Sequence, residues 1–266
     1  MAAALGVQSA AITFSRHPQS LFTDTPPKLL STHETRVALL RQFGMETVRS
    51  YPVTPEVMGT PWETFLEGLV ESGAVGFVCG TDFRFGHRGA GNARGLREFC
   101  EARGMECRIV EDQTLDGIRV SSSHIRQLLE AGDVETANRF LGHPHVISGT
   151  VVSGRRLGRT IGVPTANVEL PEGVLCPRLG VYACTAEVEG RKYPAVTNIG
   201  TRPTVGGHHV TVEPWILDFS GDLYGKPLSL EFYSFLREER KFATLEELKA
   251  AILENERETR EILDSK

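Results

Sequence analysis

The chain has 266 residues, 40% hydrophobic and 24% charged, which is material for one large or two modest globular cores. A net charge of −5 leaves no basic surplus to neutralise a nucleic-acid backbone, so any phosphate site must be local. Five cysteines, odd in number and without a C-x-x-C pair, give no disulfide framework and point to a reducing cytoplasm. The opening run from Met1 to Phe14 is apolar, but it has no leading Lys or Arg and is too short to span a bilayer. It predicts the end of a helix and then a core strand.

Up to Leu141, short β-branched or apolar runs alternate with amphipathic segments: Ala11 to Phe14, Thr47 to Val53, Val75 to Cys79 and Glu106 to Val110 are the predicted strands. Ser31-x-x-Glu34 predicts a capping box, with Val37, Leu40 and Phe43 on one helical face and Gly44 as the stop. Thr60-Pro61-Trp62-Glu63 predicts a second helix with proline at its first position and Gly73 beyond its end. Strand and helix in alternation imply a mostly parallel sheet covered on both sides.

After Gly142 the runs are closely spaced and separated by turns: Val146 to Val152, Val181 to Val188, Ala195 to Ile199, Val210 to Phe219 and Leu228 to Phe235. That spacing predicts an antiparallel barrel or sandwich. A final helix, capped by Thr244-x-x-Glu247, presents Leu245, Leu248 and Ile252 as a packing stripe. The chain is therefore expected to divide into residues 1–141 and 142–266.

The segment from Gly149 to Asn167 is rich in chemistry. Glycines 154, 158 and 162 free the backbone to approach a ligand, and Arg155, Arg156 and Arg159 supply positive charge suited to polyphosphate. Thr165 and Asn167, two apart, offer hard neutral oxygens to Mg²⁺ from one side of an extended segment. A basic surface hairpin with a turn at Val163-Pro164 is the competing reading. Further on, Glu213 interrupts an apolar and β-branched run, where a carboxylate needs a partner or a task. In the first half, the Gly80 to Asn92 loop follows a strand end, and Ser121 to Arg126 sets hydroxyls and an arginine at a helix start. Each is either a phosphate contact or an ordinary glycine loop and N-cap.

The motifs G-R-R-L-G-R-T-I-G-V-P-T-A-N, G-V-Y-A, N-I-G-T-R-P-T, V-E followed by I-L-D-F, D-L-Y-G and L-R-E-E-R-K-F occur in this order. Together they resemble the riboflavin kinase domain over its whole length. T-F-S-R-H-P, L-L-S-T-H-E-T-R, G-T-D-F-R-F-G and S-S-S-H-I-R resemble the FMN adenylyltransferase domain of the bifunctional bacterial FAD synthetases. The resemblance implies a Rossmann-like α/β nucleotidyltransferase domain followed by a six-stranded antiparallel β-barrel with a C-terminal helix. It implies phosphorylation of riboflavin to FMN with Mg·ATP and adenylation of FMN to FAD, in the cytoplasm, with no nucleic acid or membrane partner.

Residue by residue, it implies that Thr165 and Asn167 hold Mg²⁺ and that Gly154 and Arg159 lie in a flap over the ATP phosphates, which Thr165 also meets. Ile216 and Tyr224 would contact the nucleotide, Glu213 would act as general base, and Arg237, Arg240 and Phe242 would wall the flavin. Asp82, Ser122, Ser123 and Arg126 are what remains of the adenylyltransferase site. Two departures stand out. Pro214 and Trp215 follow the base, which predicts a strand edge or a bulge there. The family's G-x-F-D-G-x-H-x-G-H loop, with the strand before it, has no match, and none of the eight histidines has an H-x-G-H setting. FAD synthesis by residues 1–266 alone is therefore expected to be impaired.

No G-x-x-x-x-G-K-[ST] loop is present, so this is not P-loop chemistry. A flavin-binding or storage protein is the alternative reading; it would have no need of Thr165, Asn167 and Glu213 together. A single-strand nucleic-acid barrel would want a basic groove with stacked aromatics, against which the acidic balance and 8% aromatic content argue.

Overall fold

The computed structural model describes residues 1–154, 162–204 and 207–266, with the backbone alone at 202–204 and 207–209. Arg155, Arg156 and Arg159 of the glycine-rich segment lie outside the described residues. The first half runs α1 (Ala2–Leu5), β1 (Ala10–Phe14), a 3₁₀ turn (Pro18–Leu21), α2 (His33–Gln42), β2 (Thr47–Tyr51), α3 (Pro55–Met58), α4 (Trp62–Glu71) and β3 (Gly76–Gly80). It continues through β4 (Arg84–Phe85), β5 (Gly91–Asn92), α5 (Ala93–Glu101), β6 (Glu106–Val110), β7 (Thr114–Leu115) and β8 (Ile118–Arg119). Then come α6 (Ser122–Ala131), α7 (Val134–Leu141), β9 (His145–Val152), β10 (Asn167–Val168), β11 (Gly180–Val188), β12 (Arg191–Thr204), β13 (Gly207–Ile216), β14 (Pro227–Arg237) and α8 (Leu245–Asp264). Two compact units result: Met1–Pro27 with Val37–Val120, and Lys28–Arg36 with Ser121–Lys266.

In the first unit the expected alternation is present, but its parallel strands form two separate ribbons. β1 pairs β2 from Ala10↔Thr47 to Phe14↔Tyr51, and β3 pairs β6 from Gly76↔Glu106 to Gly80↔Val110. No described strand pairs with both ribbons. The core lies where α4 and α5 bring Leu66, Leu69, Leu96, Phe99 and Cys100 together with Phe85. The glycine loop has a packing reason: a Cβ at Gly86 or Gly91 would collide with Trp62, so the β4–β5 hairpin needs glycine to lie that close.

Three local expectations are corrected. Thr32, not Ser31, caps α2, its Oγ1 accepting from the Thr35 N–H at 3.0 Å, because the helix starts at His33. Phe43 is 59% exposed, since it lies past the last helical residue, Gln42. Pro61 is the N-cap of α4 and not its first helical residue.

The second unit holds a closed antiparallel barrel in the order β10-β13-β12-β11-β14-β9. Period-two spacing puts Leu228, Leu230 and Phe232 of β14 on one buried face. Tyr182 packs edge-on to Phe232 and Phe235, and its hydroxyl donates to the Arg178 carbonyl. Thr244 caps α8 as expected, accepting from the Glu247 N–H while Glu247 accepts from the Ala243 N–H. Of the expected α8 stripe, Leu248 and Ile252 are half-buried, on the face that continues through the buried Asn255 and Thr259, whereas Leu245 is exposed.

Pro214 causes no bulge against β12, since β12 and β13 stay in continuous register from Ala195↔Ile216 to Thr204↔Gly207, and on its other side β13 pairs β10 only at Val212, so Pro214 lies at a local margin of the ladder. The Pro214 carbonyl accepts from the Ala166 N–H at 2.9 Å. A residue's N–H and C=O point to the same side of a strand, so the donor that proline lacks would face β10, which is only two residues long.

Candidate active site in the barrel half

Gly162 takes a left-handed φ of 78°, and four residues on, the Ala166 N–H donates to the Pro214 carbonyl of β13. This brings Thr165 alongside Glu213. Both line a cavity of about 370 Å³, together with Trp215 of β13 and Asn198 of β12. Arg237, Glu239, Arg240 and Phe242, from the end of β14 and the segment after it, line it as well. Leu248, Ile252 and Asn255 of α8 add an apolar side with one amide. A mainly apolar hollow with a few converging polar groups is the usual form of a small-molecule site.

The arginines are held by specific partners. Arg237 donates from Nε to Asn255 Oδ1 at 2.9 Å and from a terminal nitrogen to the Glu238 carbonyl at 3.1 Å. Its burial, and then the neighbouring Arg240 charge, lower its pKa from the ordinary arginine value. The Arg237 and Arg240 guanidinium carbons lie 5.5 and 4.8 Å from the centre of the Phe242 ring. Phe242 is thus the centre of a cationic, planar wall.

Of the residues singled out from the sequence, the cavity unites Thr165, Glu213, Arg237, Arg240 and Phe242. Asn167 is on β10, opposite Val152, and a Cβ at Gly154 would overlap its amide, so Gly154 permits that close approach. Ile216 is buried and lines a separate hollow of about 290 Å³ with Asp218, Glu256 and Arg260. Tyr224 is 38% exposed, in a turn where its N–H donates to Asp222 Oδ1 at 3.0 Å. Sequence reading passed over Asn198, Glu239 and Asn255; Asn198 stands in the N-I-G run and Glu239 in L-R-E-E-R, but nothing in their spacing marked them.

In the first unit, Asp82 pairs with Arg119 at 2.5 Å, and Arg119 also holds Asp112 at 3.0 Å. The hydrogen bond and charge of Arg119 hold the Asp82 carboxyl below its ordinary pKa. Ser122, Ser123 and Arg126 are in the second unit, on α6, which Ser121 caps by accepting from the His124 N–H at 3.3 Å. Arg126 donates to the Lys28 carbonyl at 2.6 Å.

Residues 141–263 match the family described as riboflavin kinase, and residues 1–124 match the family described as FAD synthetase. A Pseudomonas fluorescens protein named bifunctional riboflavin kinase/FMN adenylyltransferase is 36% identical over 257 residues, covering 93% of this chain and 80% of that protein. Its namesake from Listeria monocytogenes is 32% identical over 259 residues, covering 96% and 82%. The chain belongs to the bifunctional riboflavin kinase/FMN adenylyltransferase family. It is an enzyme of that family, with a nucleotidyltransferase-like α/β half and a riboflavin kinase barrel carrying a C-terminal helix.

A crystal structure described as a macrolide-efflux protein from Streptococcus pneumoniae superposes with a TM-score of 0.85 at 27% identity, covering 97% of this chain and 85% of that one. Those words belong to that protein. Among the described residues of this chain, no helix is long and apolar enough to cross a membrane.

Proposed function

We propose that residues 142–266 transfer the γ-phosphoryl group of ATP to the ribityl 5′-hydroxyl of riboflavin, giving FMN and ADP. The observation that carries this reading is the convergence of Thr165, Glu213, Arg237, Arg240 and Phe242 on one cavity. Phosphoryl transfer asks a protein mainly to position its reactants and to stabilise charge. Arg237 and Phe242 offer the flat, partly apolar wall that an isoalloxazine ring needs, and Arg240 reinforces it. Glu213, half-buried on β13, accepts the proton of the attacking hydroxyl.

Thr165 and Asn167 would hold Mg²⁺. Their donor set fits, because a neutral hydroxyl and amide leave room for the waters and phosphate oxygens that Mg²⁺ retains. The ion, when bound, supplies charge neutralisation for the phosphates. Gly154 and Arg159 would belong to the flap over those phosphates, with Ile216 and Tyr224 on the nucleotide side.

Residues 1–141 would form the FMN-adenylylating half, Asp82 being its candidate binding residue in the first unit and Ser122, Ser123 and Arg126 those on α6 of the second, each taken by itself. The boundary proposed at Gly142, where α7 ends, follows the chain order of the two activities and not the compact units, since Ser121–Leu141 cluster with the barrel. The free cysteines, buried or half-buried, suit a cytoplasmic enzyme. Incubation with riboflavin and Mg·ATP, with separation of the flavins by chromatography, tests the kinase reading: FMN and ADP are expected in equal amounts. Tight riboflavin binding with no FMN after prolonged incubation would establish the flavin-storage alternative instead.

A further inference from the structure

We propose that Asn198 and Glu239 form a specificity-determining pair that reads the hydroxyls of the ribityl chain; this rests on the cavity being the flavin site. The first observation is register. Asn198 on β12 stands directly opposite Glu213 on β13. Directly opposed residues project from the same face with Cβ atoms about 4.5–5.5 Å apart. Both side chains line the cavity, so a ligand group that reaches the Glu213 carboxylate also passes Asn198.

The second observation is how Glu239 is fixed. Asn198 Nδ2 donates to Glu239 Oε1 at 3.1 Å, which ties the segment after β14 to β12 within the lining of the cavity. Glu239 is exposed while Glu213 is half-buried, so the cavity carries one carboxylate outside and one within.

The third observation is the room made for that carboxylate. Gly200 lies two residues beyond Asn198, on the same face of β12, and is buried. A Cβ at this position would overlap Glu239 Oε1 and stand 3.2 Å from Asn198 Nδ2. Glycine at 200 therefore holds open the space that the carboxylate fills.

The ligand class follows from donor and acceptor chemistry. A carboxylate is an acceptor with about four lone-pair sites, and an amide offers two donors and an acceptor. The bond between them consumes one amide hydrogen and one lone pair. What the pair can still offer, acceptors beside a donor, matches a run of neutral hydroxyls, each of which donates and accepts. The pair itself brings no cation with which to hold a phosphate group, so a neutral polyol suits it better. The polyol chain of riboflavin is neutral and has several adjacent hydroxyls, and its last one is the group that Glu213 must reach. Asn198 and Glu239 would align the chain so that this hydroxyl arrives at Glu213.

A purely structural role, latching the segment after β14 to the barrel, makes a different prediction and can be separated. The experiment uses the full chain with Glu239→Gln, Asn198→Ala and Gly200→Ala, the last displacing the carboxylate without removing it. Riboflavin and lumiflavin, which has the same ring and a methyl group in place of the ribityl chain, are titrated by fluorescence quenching, and FMN formation is measured in parallel. We expect riboflavin to bind roughly 10-fold to 100-fold more weakly in each variant, as for a lost charge-assisted hydrogen bond, and lumiflavin to change less than about twofold. KM for riboflavin should rise in step, and kcat should fall as well, because the 5′-hydroxyl is no longer aligned on Glu213. Equal weakening of both flavins would show a structural latch, and unchanged riboflavin binding would show that the pair does not touch the ligand; either overturns the proposal. Absence of riboflavin binding and of FMN with the unmodified chain would overturn the kinase reading itself, a result no variant can imitate.

Discussion

Each of the six barrel strands has a hydrogen-bonded neighbour on both sides, whereas the four longer strands of the α/β unit pair only in twos. Burial follows the same division. Leu228, Leu230 and Phe232 on β14 are no more than 1% exposed, while Ile12 on β1 and Val78 on β3 are 42% and 52% exposed. A closed ladder leaves no unpaired edge and lets a side chain be fixed by its register. The kinase candidates use this: Glu213 is on a barrel strand, Arg237 ends another, and Thr165 is pinned by the Ala166 bond to β13. The candidates of the other activity are held instead by an exposed ion pair, at Asp82, and by the first turns of a helix, at Ser122, Ser123 and Arg126.

If register fixes the kinase chemistry, removing one charge from the ladder should stop turnover without loosening the barrel. Glu213→Gln is expected to lower kcat for FMN formation by roughly 10²-fold to 10⁴-fold, the range for a lost general base, with riboflavin affinity within a few-fold. Single-turnover kinetics with a riboflavin titration measures both. Near-normal turnover would leave Glu213 as a structural carboxylate and remove the chemical side of the comparison.

Packing gives the next largest effect. Phe232→Ala removes a fully buried ring that touches Tyr182 and should cost about 3–5 kcal/mol, whereas Ile12→Ala on its exposed ribbon should cost well under about 1 kcal/mol. Hydrogen exchange under denaturant, read separately for each unit, is the measurement. Equal losses would mean that strand closure does not set the stability of the two halves.

Much of this was legible beforehand because period and punctuation are local. The five long barrel strands, the Thr244 cap and the helix that it starts follow from alternation and capping chemistry within a few residues. What local signals could not supply was partnership. Pro214 reads as an edge residue, and only the pairing shows that its strand lies inside a closed barrel, with the proline where the two-residue β10 gives out. The split of the parallel strands into two ribbons is equally invisible to periodicity. At the site, Thr165 and Glu213 stood out because hard oxygens and an interrupting carboxylate are chemically odd where they lie. Asn198, Glu239 and Asn255 did not, since each matters only through a partner from 18 to 41 residues away.

The third expectation concerns acid. His145 at the start of β9 is 1% exposed, its ring packs at a tilt against Phe232, and its Nε2 has no hydrogen-bond partner among the described residues. Burial, with a smaller contribution from His143, lowers its pKa from 6.5 to about 4. Because the folded value lies below the unfolded one, the unfolded chain binds the extra proton in that window. Stability contributed by the neutral ring is present above pH 6.5 and is lost as pH falls toward 4, by up to about 3 kcal/mol. The barrel should show this loss and His145→Phe should flatten it. An unchanged pH slope in that variant would place the acid sensitivity elsewhere.

The smallest expected effect asks whether charge, rather than strand closure, separates the halves. Each half has an exposed arginine shared by two carboxylates: Arg260 with Asp218 and Glu256 in the second unit, and Arg119 with Asp82 and Asp112 in the first. All six side chains are at least 26% exposed, so water and salt screen the attraction, and ordering long side chains offsets much of it. The two clusters are alike in kind, so neither should favour its own half. Arg260→Met and Arg119→Met are expected to shift unfolding of their units by less than the error of a denaturant extrapolation. Raising the salt concentration should leave the difference between the units unchanged. A clear loss in only one of the two variants would show that a surface charge network, and not the closed ladder, holds that half together.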